Sequence, residues 1–309
     1  MKNKILLAVV LILTIILFIV TKNVKQIYFE PVPVSDKTKK VTVNLLDESD
    51  GSITNVNIED YIIGVVAAEM PASFEPEALK AQAVAARTYA MYKKETRNLD
   101  YDLIIGTKDQ AYQTNGELLK KWGVSFFKNY LKIRDAVLAT EGEILTYNGQ
   151  TINAFYFSMS NGYTENVESV FKSDLPYLKS VPSTWDNESI KNYEFTKTIS
   201  KEDFCKSLEI PCDNIKIENI QKTSSNRVAS ITINGKTLEG TKVRSLLGLR
   251  STDFTIECLD NDIKITTKGY GHGVGMSQYG ANGMAKENHD YKEILNYFYQ
   301  NTEISKINV

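Results

Sequence analysis

The sequence predicts an α+β protein: an N-terminal transmembrane helix, then a mostly antiparallel, β-rich ectodomain with a helical pair carrying the candidate site. An apolar run near the N-terminus supplies the first feature. Alternating segments punctuated by Asp-Gly and Asn-Gly turns supply the second. Two helical patterns sit together among the hairpins, whereas a regular βαβ array would alternate them with single strands.

Residues 1–4 are expected on the cytoplasmic side. Residues 5–20, ILLAVVLILTIILFIV, are broken only by Thr14 and flanked by Lys2, Lys4, Lys22 and Lys25. The run is near the short limit for crossing a bilayer and lacks a small-x-small cleavage site, so it reads as an uncleaved anchor over 5–21. The lysines are nearly balanced and the α-amine tips the orientation to N-terminus inside. Residues 22–40 are polar, with two prolines, and read as a tether. Residues 41–309 form the extracytoplasmic region, of one lobe or two.

Within it, VTVNLL alternates as a strand does, and Asp50-Gly51 turns into a second strand. Helical patterns follow at about 57–70 and 75–96. GEILTYNGQTINAFYFSMS carries an Asn148-Gly149 hairpin turn between two β-rich runs. Another Asn-Gly turn and a further strand pair fill residues 215–268. Residues 276–287 and 290–300 look helical, the latter opened by a capping-box pair, Asp290 and Glu293.

Composition narrows the function. With 36 basic and 38 acidic side chains the net charge is −2, which gives no electropositive field for nucleic acid. Seventeen Tyr against two His favour surfaces that stack and hydrogen-bond, as sugar sites do. Cys205 and Cys212 can pair outside the cytoplasm, leaving Cys258, or stay as small buried thiols. No two of His272, His289 and the cysteines fall at zinc-ligand spacing, so no metal or cofactor is expected.

Glu69 ends the stretch YIIGVVAAEMP. With a helix capped by Asn57, the positions Ile58, Tyr61, Ile62, Val65 and Val66 form a buried stripe that Glu69 continues. It also stands at the negative end of the helix dipole, just before Pro71. Desolvation and dipole both raise a carboxyl pKa, as a general acid needs. A fraying end that lets Glu69 swing into solvent is the other reading. On the next helix Leu79, Ala83, Ala86 and Ala90 make the inner face, with Gln82 and Arg87 at its edges, able to reach the space of Glu69 or to face solvent. In KGYGHGVGMSQYGANGMA, glycines at 269, 271, 273 and 275 fit no phosphate-loop spacing. They would let the backbone pass close beneath another element and present His272, Ser277, Gln278 and Tyr279.

Three segments together, VVAAEMPASFEPEALKAQAVAARTYA, FSMSNGYTENVESVFKSDLPYLKSV and LRSTDFTI with GYGHGVGMSQYGANGMA, resemble the stage II sporulation protein D and amidase enhancer family. The likeness spans nearly all of residues 41–304, with one departure, Asn161-Gly162 where Gly-Gly is usual. It implies a membrane-anchored peptidoglycan lytic transglycosylase whose essential glutamate falls on Glu69. It further implies action on glycan strands lacking stem peptides, partnership with stage II sporulation proteins P and M, and a place on the mother-cell engulfing membrane facing the forespore. Such cleavage needs one carboxyl as acid and then base, whereas hydrolysis normally needs a second. Gln82, Arg87, Ser158, Ser160, Tyr163, His272 and Gln278 are the accompanying groove candidates. The alternative is a non-catalytic glycan-binding enhancer of a cell-wall amidase.

Overall fold

The computed structural model of the chain describes residues 41–106 and 108–307. Strands β1 (Thr42–Asp47) and β2 (Ser52–Asn57) pair antiparallel, from Thr42↔Asn57 to Asp47↔Ser52. Helix α1 (Ile58–Glu69) starts where Asn57 accepts hydrogen bonds from the Glu59 and Asp60 N–H groups at 2.9 and 3.5 Å, supplying partners that a first helical turn lacks. It stops at an extended Met70, ahead of Pro71. Helix α2 (Pro76–Thr96) opens on Pro76 in its first turn.

Both helices lie deeper than a one-sided stripe implies. The expected α1 stripe is buried, but so are Ile63, Gly64 and Ala67, because Tyr112 lies against Gly64 where any side chain would collide with its ring. Beyond α2 come β3 (Leu103–Ile104), parallel to β1, then α3 (Asn115–Trp122) and α4 (Phe126–Ala139). Helix α4 packs on both α1 and α2.

The Asn148-Gly149 turn joins β4 (Glu143–Tyr147) to β5 (Gln150–Thr151), both turn residues at positive φ. The second arm is only two residues long, since the chain then leaves for β6 (Tyr156–Phe157). A short helix α5 (Glu168–Phe171) precedes a second cluster: β7 (Glu194–Ser200), α6 (Lys201–Leu208), β8 (Ile217–Lys222), β9 (Val228–Ile233), β10 (Lys236–Glu239), α7 (Gly240–Leu247), β11 (Phe254–Cys258) and β12 (Asp262–Lys268). Its sheets, β10-β9-β8 and β11-β12-β7, are antiparallel throughout. They enclose Phe204, Ile231, Val243, Phe254 and Ile265. Cys205 and Cys212 are disulfide-bonded, and Cys258 is free and exposed.

The chain returns to the first cluster through β13 (Met276–Ser277), which pairs parallel with β6, then α8 (Gln278–Lys286), α9 (Tyr291–Phe298) and β14 (Glu303–Lys306) against β4. The Asp290–Glu293 capping box is present at the start of α9.

The architecture is α+β with mostly antiparallel sheets, but the expectation of a transmembrane helix needs correction. Among the described residues no helix is long and apolar enough to cross a membrane. The segment 5–21 on which that expectation fell lies outside the described residues.

Candidate active site

The end of α1, the segment after β3, β6 and the start of α8 converge on a cavity of about 590 Å³. Glu69 lines it. Its Oε1 accepts from the Ala111 N–H at 3.1 Å, and its Oε2 accepts from Gln278 Nε2 at 3.1 Å. Burial raises its carboxyl above the ordinary value of 4.5, against the opposing pull of these two hydrogen bonds.

Glycines bring Gln278 here. Residues 269, 271, 273 and 275 all hold positive φ, a region that side-chain-bearing residues rarely adopt. Gly275 lies directly against the Phe155 carbonyl, leaving no room for a Cβ. This contact lets β13 pair with β6, and Ser277 then caps α8 by accepting from the Gly280 N–H at 3.2 Å. Gln278, the first residue of that helix, therefore faces Glu69.

Asp109 is the other carboxylate among the lining residues. It accepts from Arg97 Nη1 and Nη2 at 2.8 and 3.0 Å, from Tyr89 Oη at 3.0 Å and from the Ile104 N–H at 2.8 Å. Burial pushes its pKa up, but those bonds outweigh it and hold the group below the ordinary value. The two acids are thus driven apart, one toward its protonated form and one locked ionised. Between them Gln110 accepts from Tyr61 Oη at 3.1 Å and donates to Tyr156 Oη at 2.7 Å, fixing a buried polar chain.

His272 also lines the cavity. Its Nδ1 accepts from the Val274 N–H at 3.1 Å, and Phe155, Phe157 and Phe171 surround the ring at 5.4–5.8 Å. Burial, with Arg244 and Arg227 nearby, lowers its pKa to about 3. The imidazole is therefore neutral near pH 7.

Stage II sporulation protein D of Bacillus subtilis is 46% identical over 277 residues, covering 87% of this chain and 80% of that protein. The chain belongs to the stage II sporulation protein D family. The family model for stage II sporulation proteins, SpoIID, matches residues 47–147. The Bacillus amyloliquefaciens stage II sporulation protein D is 44% identical over the same shares of each chain. An amidase enhancer of Bacillus subtilis is 32% identical over 297 residues, which covers 78% of this chain and 40% of that protein.

In this sporulation protein D homologue four expected residues, Glu69, Ser158, His272 and Gln278, meet at the cavity. Four others do not line it. Arg87 is fully buried and grips Glu59 through Nε–Oε1 and Nη2–Oε2 contacts of 2.9 and 2.6 Å. Gln82 is sealed in the core. Ser160 donates to Asp186 at 2.7 Å, and Tyr163 is exposed beside Pro182. Edge positions on a helical wheel face solvent only if the helix has a solvent side, and this part of α2 has none. Gln110, Ala111, Phe171, Arg244 and Tyr270 also lie in the lining and were not legible as site residues. Ala111 acts through its backbone N–H, which no side-chain pattern reports. Asp109-Gln110 offered only two polar residues in an aperiodic stretch.

Proposed function

We propose that this sporulation protein D homologue is a peptidoglycan lytic transglycosylase, cutting the MurNAc-β-1,4-GlcNAc bond of glycan strands that have lost their stem peptides. The reading is carried by the unequal state of the cavity's two carboxyls. Glu69 is biased toward its acid form, while Asp109 is committed to Arg97, Tyr89 and a backbone N–H.

Glu69 protonates the glycosidic oxygen as the C1–O bond breaks. The resulting carboxylate is stabilised by the Ala111 N–H and Gln278, both already in place. It then takes the proton of the muramyl C6 hydroxyl, whose oxygen closes on C1 to give the 1,6-anhydro ring. One carboxyl is restored to its starting state and no water is consumed, so no second carboxylate is needed. Phe171 and Tyr270, 40% and 50% exposed on the lining, offer apolar faces for sugar rings. Phe155 backs Phe171 at a centroid distance of 4.4 Å. The Cys205–Cys212 disulfide favours an oxidising compartment outside the cytoplasm, where such a substrate lies.

The amidase enhancer's name favours a second reading, in which the chain holds stripped glycan and stimulates a separate amidase. Product release from peptide-free glycan by the full chain and by Glu69→Gln separates the two. The lytic reading expects a loss of about 100-fold or more with unchanged circular dichroism. Undiminished release would favour the enhancer.

A further inference from the structure

Two side chains lining the cavity carry fixed positive charge, Lys108 and Arg244. Lys108 is already paired with Glu48 at 2.6 Å. Arg244 is not: its Nε donates to the Leu249 carbonyl at 3.3 Å, and among the described residues its terminal nitrogens have no hydrogen-bond or ion-pair partner. Its two neighbours on this side of the protein are placed differently. Arg227 is sealed at 1% exposure, and Arg250 stacks on Phe195 with its guanidinium carbon 3.8 Å from the ring centre.

Arg244 is held by its position on α7 and by the Leu249 carbonyl, so its fork is ordered before any ligand arrives. It is partly buried, where a charge-assisted contact is worth more than in water. Glu69 has no cation within ion-pair distance among the described residues, and is held instead by an amide and a backbone N–H. The positive charge in the cavity is therefore not there to stabilise the acid. A planar guanidinium with free N–H groups matches a carboxylate bidentately.

We propose that Arg244 forms a carboxylate-reading subsite, taking the lactyl carboxylate that a muramyl residue bears once its stem peptide is gone. The inference rests on the glycan-cleaving reading of the cavity. In an intact strand the same lactyl carbon is an amide, uncharged and followed by a peptide, so the guanidinium would be desolvated without an ionic partner. Selectivity for stripped strands then comes from a charge that appears only on peptide removal. Carboxylates of an attached stem peptide share this chemistry and must be tested separately.

The test uses the full chain carrying Glu69→Gln, which permits binding without turnover. Calorimetry compares three ligands: a peptide-free glycan fragment, the same fragment with each lactyl carboxylate converted to its methylamide, and the fragment with stem peptides attached. The free acid is expected to bind about 10- to 100-fold more tightly than the methylamide, the factor that a hydrogen bond to a charged group supplies. Adding Arg244→Gln should remove that preference and leave methylamide binding unchanged, while Arg244→Lys restores part of it. Equal weakening for both ligands, or no preference in the Arg244-bearing chain, overturns the proposal. Because the free-acid preference is read on the Arg244-bearing chain, a variant that fails to fold does not rescue the idea. Tight, Arg244-dependent binding of the peptide-bearing strand would also overturn it, assigning the guanidinium to a peptide carboxylate. Product release by the Glu69-bearing chain is measured in parallel. Its absence would sink the lytic reading and still leave the ligand preference to judge Arg244.

Discussion

Arg87→Met is expected to unfold the protein more easily rather than to damage a binding groove. The guanidinium donates to both Glu59 oxygens at 2.9 and 2.6 Å and to the carbonyls of Glu143 and Val137 at 3.0 and 3.3 Å. Glu59 also accepts from the Gly142 N–H at 3.1 Å, so the pair ties α1 and α2 to the start of β4. Methionine keeps much of the volume but leaves Glu59, 4% exposed, as a buried carboxylate with one backbone donor. Breaking such a pair from one side costs about 3–5 kcal/mol, a fall in Tm on the order of 10 °C. The double variant Glu59→Leu/Arg87→Met removes both charges and should recover at least half of the loss. Thermal unfolding followed by circular dichroism reads the stability, and product release from peptide-free glycan reads the site at a temperature where every variant is folded. If Arg87→Met kept the parental Tm while losing activity, Arg87 would be acting on substrate and the structural account of it would be wrong.

Glu69 itself makes a pH-dependent contribution of the opposite sign to most carboxylates. The fold holds its proton more tightly than the unfolded chain does, so stability falls as pH rises from the ordinary value of 4.5 through the raised folded pKa. Glu69→Gln should therefore be at least as stable as the parent at pH 8, and urea unfolding at pH 4 and pH 8 would reveal any reversal. Gln278→Met removes a donor that opposes the burial effect, so the alkaline limb of the pH–rate profile should move to higher pH; a limb that stays or moves down contradicts the assigned hydrogen bond. Thiol titration of the denatured chain should find one free group, Cys258, before reduction and all three cysteines after it. Cys212→Ser should cost about 2 kcal/mol, the chain-entropy value for a short loop.

Local signals read from the sequence correspond to local structure. Asn57 caps α1, Asp290 and Glu293 box the start of α9, and the Asn148-Gly149 and Asn234-Gly235 turns sit where hairpins bend. In each case the interaction is made within a few residues, so chemistry and spacing suffice. The inward aim of Glu69 was legible for the same reason, through the period of α1. What the sequence could not convey was which surfaces become interior. Arg87 and Gln82 read as edge residues because a helical wheel assumes one solvent face, yet α1, α4 and β4 enclose α2. The glycines of 269–275 were legible as a close approach, but the Phe155 carbonyl against which Gly275 lies is more than a hundred residues distant. Arg244 and Tyr270 arrive from the second cluster, and only tertiary structure tells that they share a cavity with Glu69.

In the proposed cleavage one carboxyl, Glu69, runs both proton transfers and water stays out of the reaction. Digestion of peptide-free glycan in ¹⁸O-labelled water, with mass analysis of the muramyl ends, tests this directly. Single-carboxyl cleavage leaves 1,6-anhydro ends carrying no label, released by the parent chain and lost in Glu69→Gln. Reducing ends that carry ¹⁸O would contradict it, making the protein a hydrolase and requiring a second catalytic carboxylate in the cavity.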